Sequence, residues 1–158
     1  MDGIVLLKDD HKTVDGLFKK FEKTKDTASP AEKRELVDQM IEELTIHAYI
    51  EEEVFYPAAR SASEDTKEHV LESVEEHHVV VWMLSELMNL DPADETFDAK
   101  VTVLMENVHH HVEEEETEWF PQVRKLLGRN RLVELGEQMA AAKADAPRDP
   151  LALGSAKA

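Results

Sequence analysis

Two segments of the chain repeat one arrangement of residues that can bind a metal ion. In each segment, a histidine is followed by a glutamate four residues later and by a proline ten residues later. The copies are His47, Glu51, Pro57 and His111, Glu115, Pro121. Because an α-helix turns about 100° per residue, residues four apart share one face. Each copy can therefore offer an imidazole and a carboxylate to one ion, a ligand pair that suits iron, manganese or zinc.

A further histidine precedes each copy at a similar distance. His11 lies 36 residues before His47, and His77 lies 34 residues before His111, each directly after an acidic residue. One internal duplication therefore relates four histidines and two glutamates. A single histidine on an apolar helix face is more often a hydrogen-bonded core residue than a ligand. Four such histidines in a duplicated pattern instead indicate a symmetric site for two metal ions.

Four amphipathic helices are predicted to position these residues. Apolar residues recur every three or four positions on each helix, and the histidines and glutamates lie on those apolar stripes. The predicted ranges are Gly3 to about Lys25, Pro30 to about 57–60, about 63–66 to 90, and Phe97 to about Leu127. The second helix begins with a capping box at Ser29, and Gly128 ends the fourth.

Short connections between helices of similar length are typical of antiparallel neighbours. We therefore expect an all-α fold, an antiparallel up-down-up-down four-helix bundle with a short additional C-terminal helix. The expected divisions are the bundle over 1–128, a short capping helix over 129–142 and a flexible tail over 143–158.

The two glutamates on apolar stripes need a partner inside the bundle. Burying an ionised carboxylate is costly unless it is paired or coordinated, and no lysine or arginine shares these stripes. Six nitrogen and oxygen ligands are too many for one tetrahedral zinc ion but suit two metals that share carboxylates. The predicted ligands are His11, His47, Glu51, His77, His111 and Glu115.

Other residues near the motifs are predicted to lie outside the site. On ideal helices, the nearby acidic side chains turn towards solvent, the remaining histidines lie at the surface or boundary, and two tyrosines point 140° to 160° away from Glu51. The tryptophans are interpreted as core residues. These groups are Glu52, Glu53, Glu113, Glu114 and Glu116; His69, His78, His109 and His110; Tyr49 and Tyr56; Trp82 and Trp119.

Composition narrows the partners and the compartment. The net charge is −17, from 35 acidic and 18 basic residues, which disfavours nucleic acid because its phosphates would be repelled. No cysteine is present, so thiolate and iron–sulfur chemistry are excluded. The N-terminal residues lack the pattern of a secretory signal, and no apolar run is long enough for a membrane span. We expect a cytoplasmic protein, a monomer, whose partner is a small molecule.

The order of the motifs resembles the hemerythrin-like (HHE cation-binding) domain. Histidine, His-x-x-x-Glu, histidine and His-x-x-x-Glu follow one another on four helices, over roughly residues 4–127. The resemblance implies two non-heme iron ions in a di-iron centre with an oxo or hydroxo bridge. It assigns the six predicted ligands to that centre, with Glu51 and Glu115 able to bridge the irons.

One departure from the family pattern bears on function. Oxygen-carrying hemerythrins have a fifth histidine one turn before the third-helix ligand, where this chain has Ser73, and they close the fourth helix with His-x-x-x-x-Asp. An iron lacking that histidine has more exchangeable positions, which disfavours reversible oxygen carriage. We expect a di-iron protein that decomposes hydrogen peroxide in a catalase-like reaction. The alternatives are an O2, nitric oxide or iron sensor without turnover, and a metal-free helical scaffold.

Overall fold

The computed structural model describes residues 1–153, and every regular element among them is helical. Six α-helices follow one another: α1 Gly3–Thr24, α2 Pro30–Ile50, α3 Tyr56–Ala62, α4 Glu64–Met88, α5 Phe97–Glu114 and α6 Phe120–Ala142. Two π-helical turns, Glu51–Phe55 and Glu115–Trp119, join α2 to α3 and α5 to α6.

Four long helical stretches form the predicted up-down-up-down bundle. The stretches are α1, α2 continued by α3, α4, and α5 continued by the first part of α6. Helix α1 packs against α2 and α6, and α4 packs against α3 and α5. The all-α bundle expected from the helical periodicity is thereby confirmed. Within residues 1–153, no helix combines the length and the apolar character needed to cross a membrane.

Local sequence signals set several helix ends. The capping box at Ser29 is present: its hydroxyl accepts from the Glu32 amide at 3.2 Å, and its own amide donates to the Glu32 carboxylate at 3.4 Å. Gly128 breaks α6 with a φ of 79°, a left-handed conformation that favours glycine. The part of α6 after Gly128 is the short C-terminal helix, and its Gly136 backbone lies directly against Met1.

The C-terminal segment, predicted to be a flexible tail over 143–158, contains local structure. Its described part forms two 3₁₀ turns, Lys143–Asp145 and Pro150–Ala152, and Pro150 is buried. Lys143 binds Asp10 at 2.6 Å, and Arg148 binds Glu42 at 2.9 Å. Such long-range ion pairs leave no helical periodicity in the sequence. The remaining residues, 154–158, lie outside the described part.

Two apolar clusters fill the bundle, with the predicted ligands between them. The first cluster includes Val14, Phe18, Leu44 and Leu84, and the second includes Leu7, Ile50, Tyr56 and Trp119. Along α1, His11 comes after Leu7 and before Val14, and along α2, His47 comes after Leu44 and before Ile50. The predicted ligand residues therefore lie where one apolar cluster ends and the other begins.

The two tryptophans occupy different environments. Trp119 is buried in the second cluster, as predicted for a core residue. Trp82 is 62% exposed, so its assignment to the core is wrong. Its neighbours Met83 and Leu84 are buried instead, because only one face of an amphipathic helix contacts the core.

Candidate metal centre

The six predicted ligand residues converge from four helical stretches. His11, His47, His77 and His111 come from α1, α2, α4 and α5, and each π turn begins with one of the glutamates. None of the six residues is more than 8% exposed. They form two groups whose ligand atoms lie within 4.8 Å of one another: His11, His47, Glu115 and Glu51, His77, His111. Residues far apart in the sequence thus surround two neighbouring positions.

The two glutamates are shared between the histidine pairs. Glu51 Oε1 lies 3.1 Å from His47 Nε2 and 3.3 Å from His77 Nε2. Glu115 Oε1 lies 3.4 Å from the Nε2 atoms of both His11 and His111. Each carboxylate therefore contacts one histidine of each pair, which is the arrangement that a bridging ligand between two metals requires.

The atoms aimed at the two positions lack hydrogen-bond partners. Eight buried side-chain nitrogen and oxygen atoms in the described chain have none, and six of the eight belong to the predicted ligands. These six are His11 Nε2, His47 Nε2, His111 Nε2, both Glu51 oxygens and Glu115 Oε1. Each buried atom without a partner costs about 1–3 kcal/mol. The donor set fits metal ions of the iron, manganese or zinc type, which would satisfy these atoms directly.

Each ligand histidine is oriented by an acidic residue on its other ring nitrogen. The Nδ1 atoms lie 2.8–3.0 Å from carboxylate oxygens, in the pairs His11–Glu116, His47–Asp10, His77–Glu52 and His111–Glu76. Such a contact fixes the ring and would direct the Nε2 lone pair at a bound metal. Glu52 and Glu116 were predicted to face solvent, and this prediction is wrong. Both reach a histidine on a neighbouring helix.

Comparison with known proteins identifies the family of this bundle. The family model for the hemerythrin HHE cation-binding domain matches residues 2–123. The chain belongs to this family. A crystal structure of a hemerythrin HHE cation-binding domain-containing protein from Mycobacterium kansasii is similar, with a TM-score of 0.78 and 25% identity. The match covers 99% of this chain and 93% of that one. The predicted hemerythrin-like identity is confirmed.

A curated relative is similar over a shorter share of its length. A protein named DNA nickase, from Nostoc sp. (strain PCC 7120 / SAG 25.82 / UTEX 2576), is 30% identical over 136 residues. The match covers 85% of the hemerythrin-like chain but 37% of the Nostoc protein. The chain therefore spans little more than a third of that relative.

The π turns change which residues of the hemerythrin-like domain face the site. The Tyr56 amide donates to the Glu51 carbonyl and the Phe120 amide to the Glu115 carbonyl, each five residues back. Five-residue spacing is the π pattern, which is frequent at functional sites. Pro57 and Pro121 follow directly, and a proline in an unbroken α-helix would clash with the carbonyl four residues back. The widened turns accommodate both prolines.

Tyr56 points into the site, contrary to the prediction from ideal helix geometry. Its hydroxyl lies 3.2 Å from His77 Nε2 and donates to Glu115 Oε2 at 3.3 Å. The π turn brings residue 56 into line with Glu51, whereas an α-helix would rotate it about 140° away. Ser73, which stands where oxygen-carrying hemerythrins have their fifth histidine, is buried. Burial raises the pKa of Tyr56 well above its usual value, as do Glu115 and Glu51, and the Ser73 hydroxyl opposes this shift. Tyr56 therefore brings a hydroxyl oxygen to the side of the site where His77 and Glu115 meet.

The protonation of the metal-free cluster reflects its excess of carboxylates. Burial alone would lower the pKa of His47, but Glu51 and Asp10 raise it to about 10. Burial is likewise outweighed at His77, where Glu51 and Glu52 raise the pKa to about 9. Both histidines are therefore protonated at neutral pH without metal. A site that attracts protons so strongly also attracts metal cations, which must displace them.

The pKa values of the two buried glutamates shift in opposite directions. Burial would raise the pKa of Glu51, but His47 and His77 hold that pKa well below its usual value. Burial and the charge of Glu51 raise the pKa of Glu115. Two carboxylates at one site commonly separate in this way because the second charge is harder to form. A metal ion between them would remove the repulsion.

A small cavity adjoins the four histidines on the side of the first cluster. Its volume is about 40 Å³. Apart from the histidines, its walls are aliphatic: Val14, Leu44, Ala48, Val80, Val81, Leu84, Val108 and Val112. A single water needs about 10–15 Å³ measured in this way, so the space suits a molecule of two or three heavy atoms.

Proposed function

We propose that the protein holds two iron ions and decomposes hydrogen peroxide in a catalase-like reaction. The observation that carries this proposal is the small cavity beside four histidines whose two pairs share both glutamates. The histidine pairs would each bind one iron, His11 with His47 and His77 with His111, while Glu51 and Glu115 bind both. When bound, the irons would exchange the two electrons needed to convert two peroxides into O2 and two waters.

The protein side chains would select and position the substrate. The aliphatic walls admit a small neutral molecule and keep bulk water away from the histidines. Asp10, Glu52, Glu76 and Glu116 would hold the imidazole rings in place during repeated turnover. On the side of the second cluster, Tyr56 closes the site, so substrate would enter from the cavity side.

Oxygen evolution from hydrogen peroxide tests this function. We expect the iron-loaded protein to release O2 faster than an equal concentration of free iron. Glu51→Ala should abolish the activity, because the shared carboxylate would be lost from both iron positions. Glu53→Ala is the matched control, since Glu53 lies two residues away and is exposed. Activity no higher than that of free iron, or full activity in Glu51→Ala, would contradict the proposal.

A second candidate function is the binding of O2 or nitric oxide without turnover. The aliphatic walls of the cavity favour this function, because they suit a weakly polar diatomic gas better than a molecule with two hydroxyl groups. Anaerobic, reduced, iron-loaded protein can be titrated with each gas. A reversible spectral change, together with no O2 release from peroxide, would favour binding over catalysis.

The activity named for the Nostoc relative is not part of our proposal. The matched region spans 37% of that protein, so the name can refer to other parts of it. The present chain carries a charge of −17, which would repel the DNA backbone.

A further inference from the structure

Helix α5 carries a second His-x-x-x-Glu pair, one residue before the buried pair. His110 Nε2 lies 3.6 Å from Glu114 Oε2, and the His110 side chain is 76% exposed. The equivalent residues beside the first buried pair are Ile46 and Ile50. The internal duplication therefore does not account for the outward pair, which is particular to α5.

Helix α4 supplies a third ligand to this outward pair. Ligand atoms of Glu76, His110 and Glu114 lie within 4.8 Å of one another. Metal–ligand bonds of about 2.1 Å in a tetrahedral site separate the ligand atoms by roughly 3.4 Å. The 3.6 Å between His110 and Glu114 is close to that separation, and Glu76, 33% exposed, already has a ligand atom within 4.8 Å of both. Two carboxylates and one imidazole suit a divalent cation.

A second group of potential ligands lies beside the first on the same face. His69, Glu72 and Glu114 also bring ligand atoms within 4.8 Å, so Glu114 belongs to both groups. The protein's charge of −17 raises the local concentration of cations at such a surface. An arriving cation would therefore find several adjoining ligands.

Glu76 connects this surface to the buried site. Its Oε1 accepts from His111 Nδ1 at 3.0 Å, and His111 is one of the six buried ligand residues. We propose that Glu76, His110 and Glu114 form a surface site that captures a divalent cation, ferrous iron in particular, and passes it to the buried centre. The proposal depends on the buried site binding metal and not on whether peroxide is the substrate.

Zinc titration of untagged, iron-loaded protein tests the surface site. With the buried positions filled by iron, calorimetry should detect one further equivalent of Zn²⁺ while the iron content stays constant. His110→Ala should weaken Zn²⁺ binding at least about tenfold, since even the loss of a residue that only hydrogen-bonds to a metal ligand lowers metal affinity by that factor. His78→Ala is the matched control, because His78 is an exposed histidine on α4 that pairs with Glu75. No additional site in the native chain, or equal binding by both variants, would overturn the proposal.

The rate of iron uptake tests the delivery role separately. Metal-free protein is mixed with limiting Fe²⁺ in aerated buffer, and the near-ultraviolet absorbance of the filling centre is followed by stopped flow. We expect His110→Ala to slow iron uptake by about tenfold, because electrostatic focusing raises association rates by at least about that factor. The final iron content should be unchanged. His78→Ala should load at the native rate. Equal uptake rates would refute delivery even if Zn²⁺ binds at the surface, and neither readout involves peroxide turnover.

Discussion

The hydroxyl group of Tyr56 allows a direct test of the site geometry. Its distances to His77 Nε2 and Glu115 Oε2, 3.2 and 3.3 Å, match the 3.1–3.4 Å that separate the predicted ligand atoms from one another. The hydroxyl oxygen is therefore placed like a ligand of the position held by His77 and His111. We expect ferric protein to bind the phenolate there, and Tyr56→Phe removes this one oxygen.

The same substitution has a calculable effect on the metal-free protein. The Tyr56 hydroxyl is buried, and its loss leaves Glu115 Oε2 without that donor. A buried acceptor without a partner costs about 1–3 kcal/mol. For a chain of this size, each kcal/mol lowers the melting temperature by about 2–4 °C. We therefore expect metal-free Tyr56→Phe to melt about 2–12 °C lower, while the ring keeps its stacking on His77.

Visible spectroscopy of the ferric protein decides whether the oxygen binds iron. The native protein should show an intense visible charge-transfer band from phenolate to iron, and Tyr56→Phe should lack it at the same iron content. Tyr49→Phe is the control, because Tyr49 is a half-buried tyrosine at the edge of the second cluster. It should keep both the band and the melting temperature.

Two results would refute this reasoning. A band that persists in Tyr56→Phe would have another origin. A native protein without the band, but with the lower melting temperature in the variant, would make Tyr56 a hydrogen-bond donor to Glu115 and not a ligand.

Three further predictions concern other parts of the molecule. The pKa of His47 is about 10 and that of His77 about 9, so iron binding at pH 7 should release protons from both histidines. The affinity for iron should therefore rise towards pH 9. Calorimetry in buffers of different ionisation enthalpy measures the number of protons released. Lys143→Met should lower the free energy of unfolding by about 1–2 kcal/mol, because it removes a charged partner of buried Asp10. Arg148→Met removes an exposed ion pair and should lower it by less than about 0.5 kcal/mol. Urea unfolding measures both changes. Gly136→Ala should destabilise the protein by about 1–3 kcal/mol, because its new methyl group would meet the Met1 backbone. The methyl group of Gly16→Ala would enter open space on α1, so this variant should be more stable by about 0.5–1 kcal/mol. The same urea unfolding experiment measures both.

Helical periodicity was sufficient to predict the bundle and to select the residues that the structure brings together. Polar residues on apolar stripes are informative because burial without a partner is costly, and the repetition of the His-x-x-x-Glu spacing at His47 and His111 indicates a site. The internal duplication added the prediction that two such halves form one symmetric site for two metal ions. These features depend on spacing along single helices, which the sequence contains in full.

The orienting carboxylates and Tyr56 were missed because they depend on contacts between helices or on departures from ideal geometry. Glu52 turns away from the apolar face of its own helix but meets His77 on the neighbouring one. A signal was present, since each orienting residue stands directly beside a ligand in the sequence, as in Asp10-His11 and Glu115-Glu116. The prolines at 57 and 121 were a second signal, because a proline inside a long helix interrupts the regular α-helical hydrogen bonds.

The π turns also reveal where the two halves of the duplication diverge. Phe120 and Tyr56 occupy equivalent places, each five residues after a shared glutamate, and each stacks on a ligand histidine. Phe120 stacks on His11 with an angle of 6° between the rings but offers no oxygen, whereas Tyr56 stacks on His77 and does. The position beside His77 therefore has one more potential ligand than the position beside His11. We expect a small molecule from the cavity to bind at the His11 position, because fewer protein atoms fill the coordination sphere there.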